Sequence, residues 1–252
     1  MDRWQGKVAI VTGASSGMGA ATAVKLASAG MITVGLARRV ERVEALRDNL
    51  PAEIAARLYP FRCDVSCEED ILKAFAFVED KFGGVDVLIN NAGTYKCVDL
   101  LAEDNSDVLR ESLAVNVLAA AFCSREAVKS MKRRSVAGHI ILINSIEGHK
   151  VPVYPGANLY PAGKHAITAI TETIRNELRT AGTKIKVTSV SPGLVKTEMI
   201  DVCGTIAYGG EDITSLPMLQ PDDIADGILY VLGTPPHVQV HELTIKPVGE
   251  PV

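Results

Sequence analysis

The sequence predicts an α/β fold built on a doubly wound parallel sheet. Short apolar runs rich in β-branched residues alternate with longer helical patterns along the 252 residues. Runs such as Val8–Val11 and Val87–Ile89 are apolar at every position, which is typical of strands buried on both faces. A glycine-rich turn follows the first run, where such folds place the phosphates of a dinucleotide. We therefore expect a single-domain Rossmann fold over residues 1–252, with seven strands and helices on both faces.

Seven strands and six helices are expected to alternate. Apolar and β-branched content predicts strands at Lys7–Thr12, Ile32–Ala37, Leu58–Cys63, Val85–Asn90, His139–Asn144, Lys184–Ser191 and Glu242–Lys246. Helical periodicity predicts helices at Gly17–Ala29, Val40–Asn49, Glu68–Phe82, Asn105–Arg133, Tyr160–Ala181 and Asp222–Leu232. The stretch from about residue 193 to 217 has no firm period. Because long connections in compact domains usually carry function, it is the expected substrate-binding loop.

Composition argues against several classes of protein. The net charge of −4 is spread over interspersed acids and bases, so nucleic acid is not an expected partner. No apolar run reaches the ~18 residues of a membrane span, and the strand beginning at Lys7 leaves no room for a signal peptide. The five cysteines are odd in number and include no Cys-x-x-Cys pair. They indicate reduced thiols, a cytoplasmic protein and no metal site.

The loop after the first strand has the pattern of a dinucleotide-binding turn. It runs Thr12-Gly13-Ala14-Ser15-Ser16-Gly17-Met18-Gly19, with glycines spaced G-x-x-x-G-x-G. Gly13 permits a tight turn, Gly17 lets the backbone approach a pyrophosphate, and Gly19 allows close packing of helix on strand. The helix that follows presents its N–H groups and positive dipole end to the phosphates. A purely structural turn is the alternative.

The end of the second strand favours NADP over NAD as the cofactor. An NAD site would usually offer an acidic residue there for the ribose 2′-hydroxyl, but this chain has Ala37 followed by Arg38 and Arg39. Arginine suits a 2′-phosphate, which it binds through charge-assisted hydrogen bonds. Ser15 can reach the same phosphate. The alternative is that both arginines are solvated charges opening a helix, where the dipole disfavours them.

Tyr160 and Lys164 are four residues apart at the start of a helix and therefore share one face. A phenol has a pKa of about 10, and lowering it by about three units requires about 4 kcal/mol. A cation ~4 Å away at an effective dielectric of ~20 supplies about that much. The pair can therefore act as a proton-transfer device, the alternative being an ordinary surface tyrosine and lysine.

Five motifs, in order, resemble those of the short-chain dehydrogenase/reductase family over nearly the whole chain. They are Thr12–Gly19, Cys63-Asp64-Val65, Asn90-Asn91-Ala92-Gly93, Ser145 with Tyr160-x-x-x-Lys164, and Pro192-Gly193-x-x-x-Thr197. The resemblance implies that Tyr160 is the general acid or base and that Lys164 lowers its pKa and bonds the nicotinamide ribose. It further implies that Ser145 bonds the substrate oxygen. Asn116 would interrupt its helix and hold a relay water against Lys164.

The resemblance also implies the cofactor contacts. Asp64 would bond the adenine amino group, and Asn90 would tie strands together. Asn91, Ala92 and Gly93 would line the adenine ribose, and Pro192, Gly193 and Thr197 would hold the nicotinamide ribose, carboxamide and phosphate. Val65 and Val195 are further expected cofactor contacts. Pro161 departs from the family, which more often has serine there, but proline costs little near a helix start.

The substrate region is largely apolar. The expected pocket residues are Met199, Ile200, Val202, Ile206, Tyr208, Ile213, Leu216 and Met218, with Tyr95, Ile146, Val151, Val153 and Tyr154 from nearby loops. Such a pocket suits a small lipophilic alcohol or carbonyl compound, although these residues could merely pack the loop. Within the family the chain most resembles insect NADP-dependent enzymes acting on farnesol, which implies an isoprenoid alcohol as substrate.

Several alternatives remain open at this stage. A broad carbonyl reductase, a hydroxysteroid dehydrogenase, and a ketoacyl or sugar reductase are enzymatic alternatives. A non-catalytic NADP-binding sensor is the alternative from another class, because fold does not decide function. The long helices at Asn105–Arg133 and Tyr160–Ala181 carry more apolar surface than one face needs. In the family such helices pair across a two-fold axis, so a homodimer or homotetramer is expected.

Overall fold

A parallel sheet of seven strands organises the fold in a computed structural model that describes residues 1–202, 207–208 and 211–250. The strands are β1 (Val8–Thr12), β2 (Ile32–Ala37), β3 (Leu58–Arg62), β4 (Val87–Asn90), β5 (His139–Ile143), β6 (Lys186–Pro192) and β9 (Glu242–Ile245). A two-residue antiparallel pair, β7 (Ala207–Tyr208) with β8 (Glu211–Asp212), forms a separate sheet. The predicted α/β class and its seven parallel strands are confirmed.

The helices follow the predicted order with one interruption and two additions. They are α1 (Gly17–Ser28), α2 (Val40–Asp48), α3 (Ala52–Ala55), α4 (Glu68–Phe82), α5 (Ser106–Leu113), α6 (Ala119–Arg133), α7 (Tyr160–Thr180), α8 (Glu198–Val202) and α9 (Pro221–Gly233). The predicted helix Asn105–Arg133 is divided by a π-helical segment, Ala114–Leu118. The sequence did not predict α3 and α8, because helices of four and five residues are too short to show a period.

Each strand of the sheet centre divides its side chains between two apolar layers. Ile10, Leu88 and Ile140 are aligned across β1, β4 and β5 and pack in one layer. That layer is completed by α4, α6 and α7, through residues that include Phe75, Met131 and Ile167. Their neighbours Ala9, Val87 and Ile141 pack in the other layer, with Leu26 of α1 and Ile228 of α9. The helices therefore cover both faces, which explains why the central strands are apolar throughout.

The strand order β3-β2-β1-β4-β5-β6-β9 creates a switch point between β1 and β4. The chain winds outwards through β2 to β3 on one side, and through β5 and β6 to β9 on the other. Connections leaving β1 and β4 therefore diverge, which opens a crevice at the carboxyl ends of these strands. The motifs that follow β1, β2, β4, β5 and β6 in the sequence all lie along this edge.

Several residues named in the sequence analysis lie outside the described part of the chain. Cys203 and Ile206 lie outside the described residues, and so do the side chains of Val202 and Tyr208. Among the helices that are described, none combines the length and apolar character needed to cross a bilayer.

Candidate active site

The phosphate loop is built by glycines that no larger residue can replace without strain or a clash. Gly13 and Gly17 have φ of +69° and +53°, in the left-handed region that favours glycine. A Cβ on Gly19 would lie 2.2 Å from the Gly13 carbonyl oxygen and 2.4 Å from Asn91 Nδ2. The first turn of α1 can therefore approach the end of β1 closely enough to direct its N–H groups into the crevice.

Asn91 and Thr12 join the ends of β1 and β4 beneath this loop. Asn91 Nδ2 donates to the Thr12 carbonyl at 2.9 Å and the Gly13 carbonyl at 3.3 Å. The Thr12 hydroxyl accepts from the backbone N–H groups of Asn91 at 3.0 Å and Ala92 at 2.9 Å. The expectation that Asn90 ties strands together was wrong. Its amide donates to Ser124 Oγ at 2.9 Å on α6, because its side chain faces that helix rather than β1.

A cleft of about 370 Å³ lies along this edge and gathers most of the residues expected to bind the cofactor. They are Gly13, Ser15, Ser16, Gly17, Met18, Arg38, Arg39, Asp64, Val65, Asn91, Ala92, Gly93 and Thr197. Pro192, Gly193 and Val195 instead line an adjoining cavity of about 100 Å³. Met18, Thr197 and Met199 line both, so the two spaces share a wall. The glycine backbone, a helix N-terminus and flanking arginines fit a dinucleotide phosphate chain.

Arginines and one carboxylate meet at the rim of the cleft beside the phosphate loop. Arg39 Nη2 lies 3.4 Å from Ser16 Oγ and 3.0 Å from a carboxylate oxygen of Glu198. Arg42 binds the other oxygen of Glu198, and both arginines lower the pKa of that carboxyl. Arg42 was missed by the sequence prediction, although it lies one helical turn beyond Arg38 and Arg39. Its signal was the i, i+4 spacing from Arg38.

Ser145 and Tyr160 line the adjoining cavity together, as their motif predicted. Ser145 follows β5, and its Oγ accepts the N–H of Glu147 at 3.1 Å. Tyr160 opens α7, and its N–H donates to Asn158 Oδ1 at 3.1 Å. Asn158 adopts a φ of +41°, which asparagine tolerates better than most residues. The tyrosine ring also packs edge-on against Tyr95 at a centroid distance of 5.4 Å. These contacts fix the direction of the phenol.

Lys164 lies one turn further along α7 and is almost fully buried, with 7% of its surface exposed. Its Nζ donates to the Ile143 carbonyl oxygen at 2.9 Å, at the end of β5. The same atom lies 5.5 Å from the centroid of the Tyr160 ring, so the predicted shared face is confirmed. Burial lowers the pKa of Lys164 to about 8, and the negative charge of Glu147 opposes that shift.

Asn116 lies in the π-helical segment, buried with 4% of its surface exposed. Its amide donates to the Thr94 carbonyl at 2.9 Å and its Oδ1 accepts the Thr94 N–H at 2.8 Å. A further bond reaches Ser112 Oγ at 3.3 Å. The side chain therefore holds the loop after β4 against the interrupted helix. π-Helical segments of this kind are frequent at functional sites.

Glu147 is a residue of this cavity that the sequence prediction missed. It lines the space beside Ser145 and Tyr160 with only 9% of its surface exposed. The Tyr154 hydroxyl donates to its carboxylate, at 2.9 and 3.0 Å from the two oxygens. Burial raises the pKa of Glu147 to about 7, opposed by the Tyr154 hydrogen bond and the charge of Lys164. A glutamate between two loops ordinarily indicates a surface position, so no pattern signalled its burial.

The rest of the cavity is mainly apolar, apart from Asn144 and Thr197, and two corrections apply to the expected lining. Its apolar walls come from Met18, Tyr95, Ile146, Tyr154, Leu194, Val195, Met199, Ile200 and Ile213. Leu216 and Met218 pack in the cluster behind this wall, with Leu194 and Ile213. Val151 and Val153 were expected here, but they are 68% and 94% exposed and do not line the cavity. Their apolar character alone could not show which way the loop turns.

The fold and the two joined cavities are those of a dinucleotide-binding α/β protein. Residues 7–204 match the family model for short chain dehydrogenases. A farnesol dehydrogenase of Aedes aegypti is 61% identical over 250 residues, covering 99% of each chain. Dehydrogenase/reductase SDR family member 11 of Mus musculus is 43% identical over 251 residues, covering 98% of this chain and 96% of that one. The chain therefore belongs to the short-chain dehydrogenase/reductase family, a family of oxidoreductases.

Solved structures show the same architecture. The closed form of a serine dehydrogenase complexed with NADP+ superposes with a TM-score of 0.84 at 26% identity, covering 97% of this chain and 96% of that one. An alcohol dehydrogenase from Thermococcus sibiricus complexed with 5-hydroxy-NADP gives a TM-score of 0.80 at 28% identity, covering 97% of each chain.

Proposed function

We propose that this protein is an NADP-dependent oxidoreductase that interconverts a lipophilic alcohol and its aldehyde or ketone, with an isoprenoid alcohol such as farnesol as substrate. The observation that carries the reaction is that Ser145 and Tyr160 line one cavity beside the cleft, with the buried Lys164 Nζ 5.5 Å from the Tyr160 ring centroid. The 61% identity to a farnesol dehydrogenase supports the substrate. A cavity with mainly apolar walls and a few polar groups supports the lipophilic class.

Tyr160 handles the proton of the reaction. In alcohol oxidation its phenolate accepts the hydroxyl proton, and in carbonyl reduction its phenol returns a proton to the oxygen. The Lys164 ammonium, 5.5 Å from the ring centroid, stabilises the phenolate and so lowers the pKa of the tyrosine. Tyr160 can then change protonation state near neutral pH, which general acid–base catalysis requires.

Ser145 positions the substrate oxygen opposite Tyr160. Its hydroxyl lies at the end of β5 and donates to the oxygen on which negative charge develops. Its orientation is set by the hydrogen bond that Oγ accepts from the Glu147 N–H. Asn116 and its π-helical segment pack against α7, where Gly163 lies beside the Asn116 side chain. We assign this segment the role of holding a water that exchanges protons with Lys164.

The glycine-rich cleft binds the cofactor. When bound, nicotinamide supplies or accepts the hydride of the reaction. The phosphate loop would hold the pyrophosphate, while Asp64 and Val65 would hold adenine and Asn91, Ala92 and Gly93 its ribose. Pro192, Gly193, Val195 and Thr197 would hold the nicotinamide end, beside the cavity that they line. Two solved relatives are described as complexes with NADP+ and 5-hydroxy-NADP, which supports a nicotinamide cofactor here.

Arginines at the rim support NADP in particular. Arg38 and Arg39 follow β2, and Arg42 turns back towards the same rim through its ion pair with Glu198. A 2′-phosphate bound by guanidinium groups gains charge-assisted bonds that a ribose hydroxyl does not offer. The Glu198 carboxylate pairs with the guanidinium groups of Arg39 and Arg42 and so holds both at this rim.

The purified protein should oxidise farnesol with NADP+ as acceptor, seen as growth of NADPH fluorescence. Farnesol should have a higher kcat/KM than hydroxysteroids or short-chain alcohols, because an apolar cavity gains binding energy from a long hydrocarbon chain. The reverse reaction with farnesal and NADPH should proceed in the same preparation. Absence of turnover with farnesol, alongside turnover of a steroid, would transfer the assignment to a hydroxysteroid dehydrogenase.

Tyr160→Phe should lower kcat at least 100-fold and leave NADPH affinity within a few-fold of wild type, because it removes the proton-transferring hydroxyl and keeps the ring. Initial rates measure the first quantity and NADPH fluorescence titration the second. The control is Tyr230→Phe, a tyrosine 64% exposed on α9, which should retain full activity. More than a tenth of wild-type kcat in Tyr160→Phe would contradict the role given to Tyr160.

Arg39→Ala should weaken NADPH binding about 10- to 100-fold, the range expected for a charge-assisted hydrogen bond of about 1.5–3 kcal/mol. NADH binding should change less than threefold, because NADH lacks the 2′-phosphate. Arg47→Ala on α2, the helix that follows Arg39, is the matched control, since Arg47 pairs with Asp48 and does not line the cleft. Equal losses for both cofactors in Arg39→Ala would argue against recognition of the 2′-phosphate.

A further inference from the structure

Glu147 places a negative charge inside an otherwise apolar cavity, next to the groups that handle the substrate oxygen. It is the second residue after Ser145, in the turn Ile146–Gly148, and its own N–H donates to Ser145 Oγ. Ser145, Glu147 and Tyr160 line the same space of about 100 Å³. Any substrate oxygen bound between Ser145 and Tyr160 therefore lies in the same small space as this carboxylate.

The carboxylate is held in place rather than free to turn to solvent. Glu147 is 9% exposed, and the hydroxyl of Tyr154 lies 2.9 and 3.0 Å from its two oxygens. Tyr154 belongs to the loop before α7 and lines the cavity as well. Burying a carboxyl among apolar groups costs stability unless it is paired. Such a group is retained more readily at a functional position than at a structural one.

Glu147 balances the positive charge of Lys164 beside the reaction centre. Lys164 buries a positive charge behind Tyr160, and its electrostatic interaction with Glu147 acts on the pKa of both groups. A centre with Lys164 alone would attract an anion in a medium of low dielectric, where charges act strongly. With Glu147 ionised, the net charge of the pair is zero. An anionic group bound at Ser145 would then be close to a carboxylate of the same sign.

We propose that Glu147 is a specificity-determining residue that admits neutral alcohols and carbonyl compounds to the reaction centre and excludes carboxylates. The inference rests on the proposed function only for the position of the substrate oxygen, between Ser145 and Tyr160. A carboxylate of the same chain length would otherwise fit the cavity and bond the same two hydroxyls. Such a carboxylate would compete with the alcohol for this position, and Glu147 keeps the centre available to neutral ligands.

The exclusion of carboxylates depends on pH, because it requires ionised Glu147. The groups around Glu147 set the pKa of its carboxyl. The described groups that face it are Tyr154, Lys164, Tyr160 and Tyr95, of which Lys164 carries the charge near neutral pH. Burial outweighs Lys164 and the Tyr154 hydrogen bond and raises the pKa of Glu147 to about 7. Glu147 therefore takes up a proton as the pH falls through about 7, and the exclusion weakens. Carboxylate ligands, with a pKa below about 5, remain ionised over that range.

The test compares decanoate with decanamide, which have the same chain and differ in charge. Isothermal titration calorimetry measures their affinities for the NADP+-loaded protein, at about pH 8.5 and about pH 6. Because Lys164, with a pKa of about 8, also changes charge over this range, the pH response of Glu147→Gln measures the contribution of Lys164, and the response of wild type should exceed it. Wild type should bind decanoate at least 10-fold more weakly than decanamide at the higher pH, and this ratio should shrink at the lower pH. Glu147→Gln should bind decanoate at least 10-fold more tightly than wild type at the higher pH, with decanamide affinity within threefold.

Two further variants keep the test decisive. Glu177→Gln removes the same charge from the exposed side of α7 and should behave as wild type. Tyr154→Phe removes a hydrogen bond that favours ionised Glu147, so the midpoint of the pH dependence should move upward. It also provides a readout should Glu147→Gln fail to fold.

An identical decanoate-to-decanamide ratio in wild type and Glu147→Gln at both pH values would overturn the proposal. So would a ratio that responds to Glu147→Gln but not to pH in the wild type. The result is separable from the substrate assignment. If farnesol is not oxidised but the ratio changes as described, only the substrate is wrong. If farnesol is oxidised and the decanoate-to-decanamide ratio does not change, only the role proposed for Glu147 is wrong.

Discussion

The buried ammonium of Lys164 is the constraint on which the rest of the site depends. A cation removed from water needs compensation, and the Ile143 carbonyl supplies part of it at 2.9 Å while the charge of Glu147 supplies more. The first contact ties α7 to the end of β5, so the position of the helix is set by the sheet. Because Tyr160 lies one turn earlier on the same face, its phenol is directed to the strand end that carries Ser145. The sheet thereby fixes the relative positions of Lys164, Tyr160 and Ser145.

The two cavities proposed to hold the cofactor and the substrate adjoin each other and share lining residues. The switch point between β1 and β4 opens the larger cleft, and the ends of β5 and β6 border the smaller one. Met18, from the phosphate loop, and Met199, from α8, line both spaces. Glu198 precedes Met199 and pairs with arginines at the cofactor rim. The short helix α8 therefore contributes to the walls of both proposed binding spaces.

The sequence predicted the features that repeat along the chain or that depend on spacing. Fully apolar strands, the glycine spacing after β1 and the i, i+4 pair of Tyr160 and Lys164 are of this kind. It missed features set by tertiary contacts. The family resemblance placed a helix interruption at Asn116, but residue spacing gave no sign of the hydrogen bond from Asn116 to the backbone of Thr94, 22 residues away. The burial of Glu147 and the exposure of Val153 both follow from the path of a loop without periodicity, which residue type alone does not encode.

The most direct test of this account is the pH dependence of hydride transfer in Lys164→Met, followed by stopped-flow NADPH fluorescence in a single turnover at saturating NADP+ and alcohol. The account predicts that loss of the buried cation raises the apparent pKa controlling hydride transfer towards the value of about 10 of an isolated tyrosine. Rates at pH 7 should fall accordingly and recover in part as the pH rises. A variant that keeps both the wild-type rate and the wild-type pKa would contradict the claim that Lys164 makes Tyr160 the proton carrier.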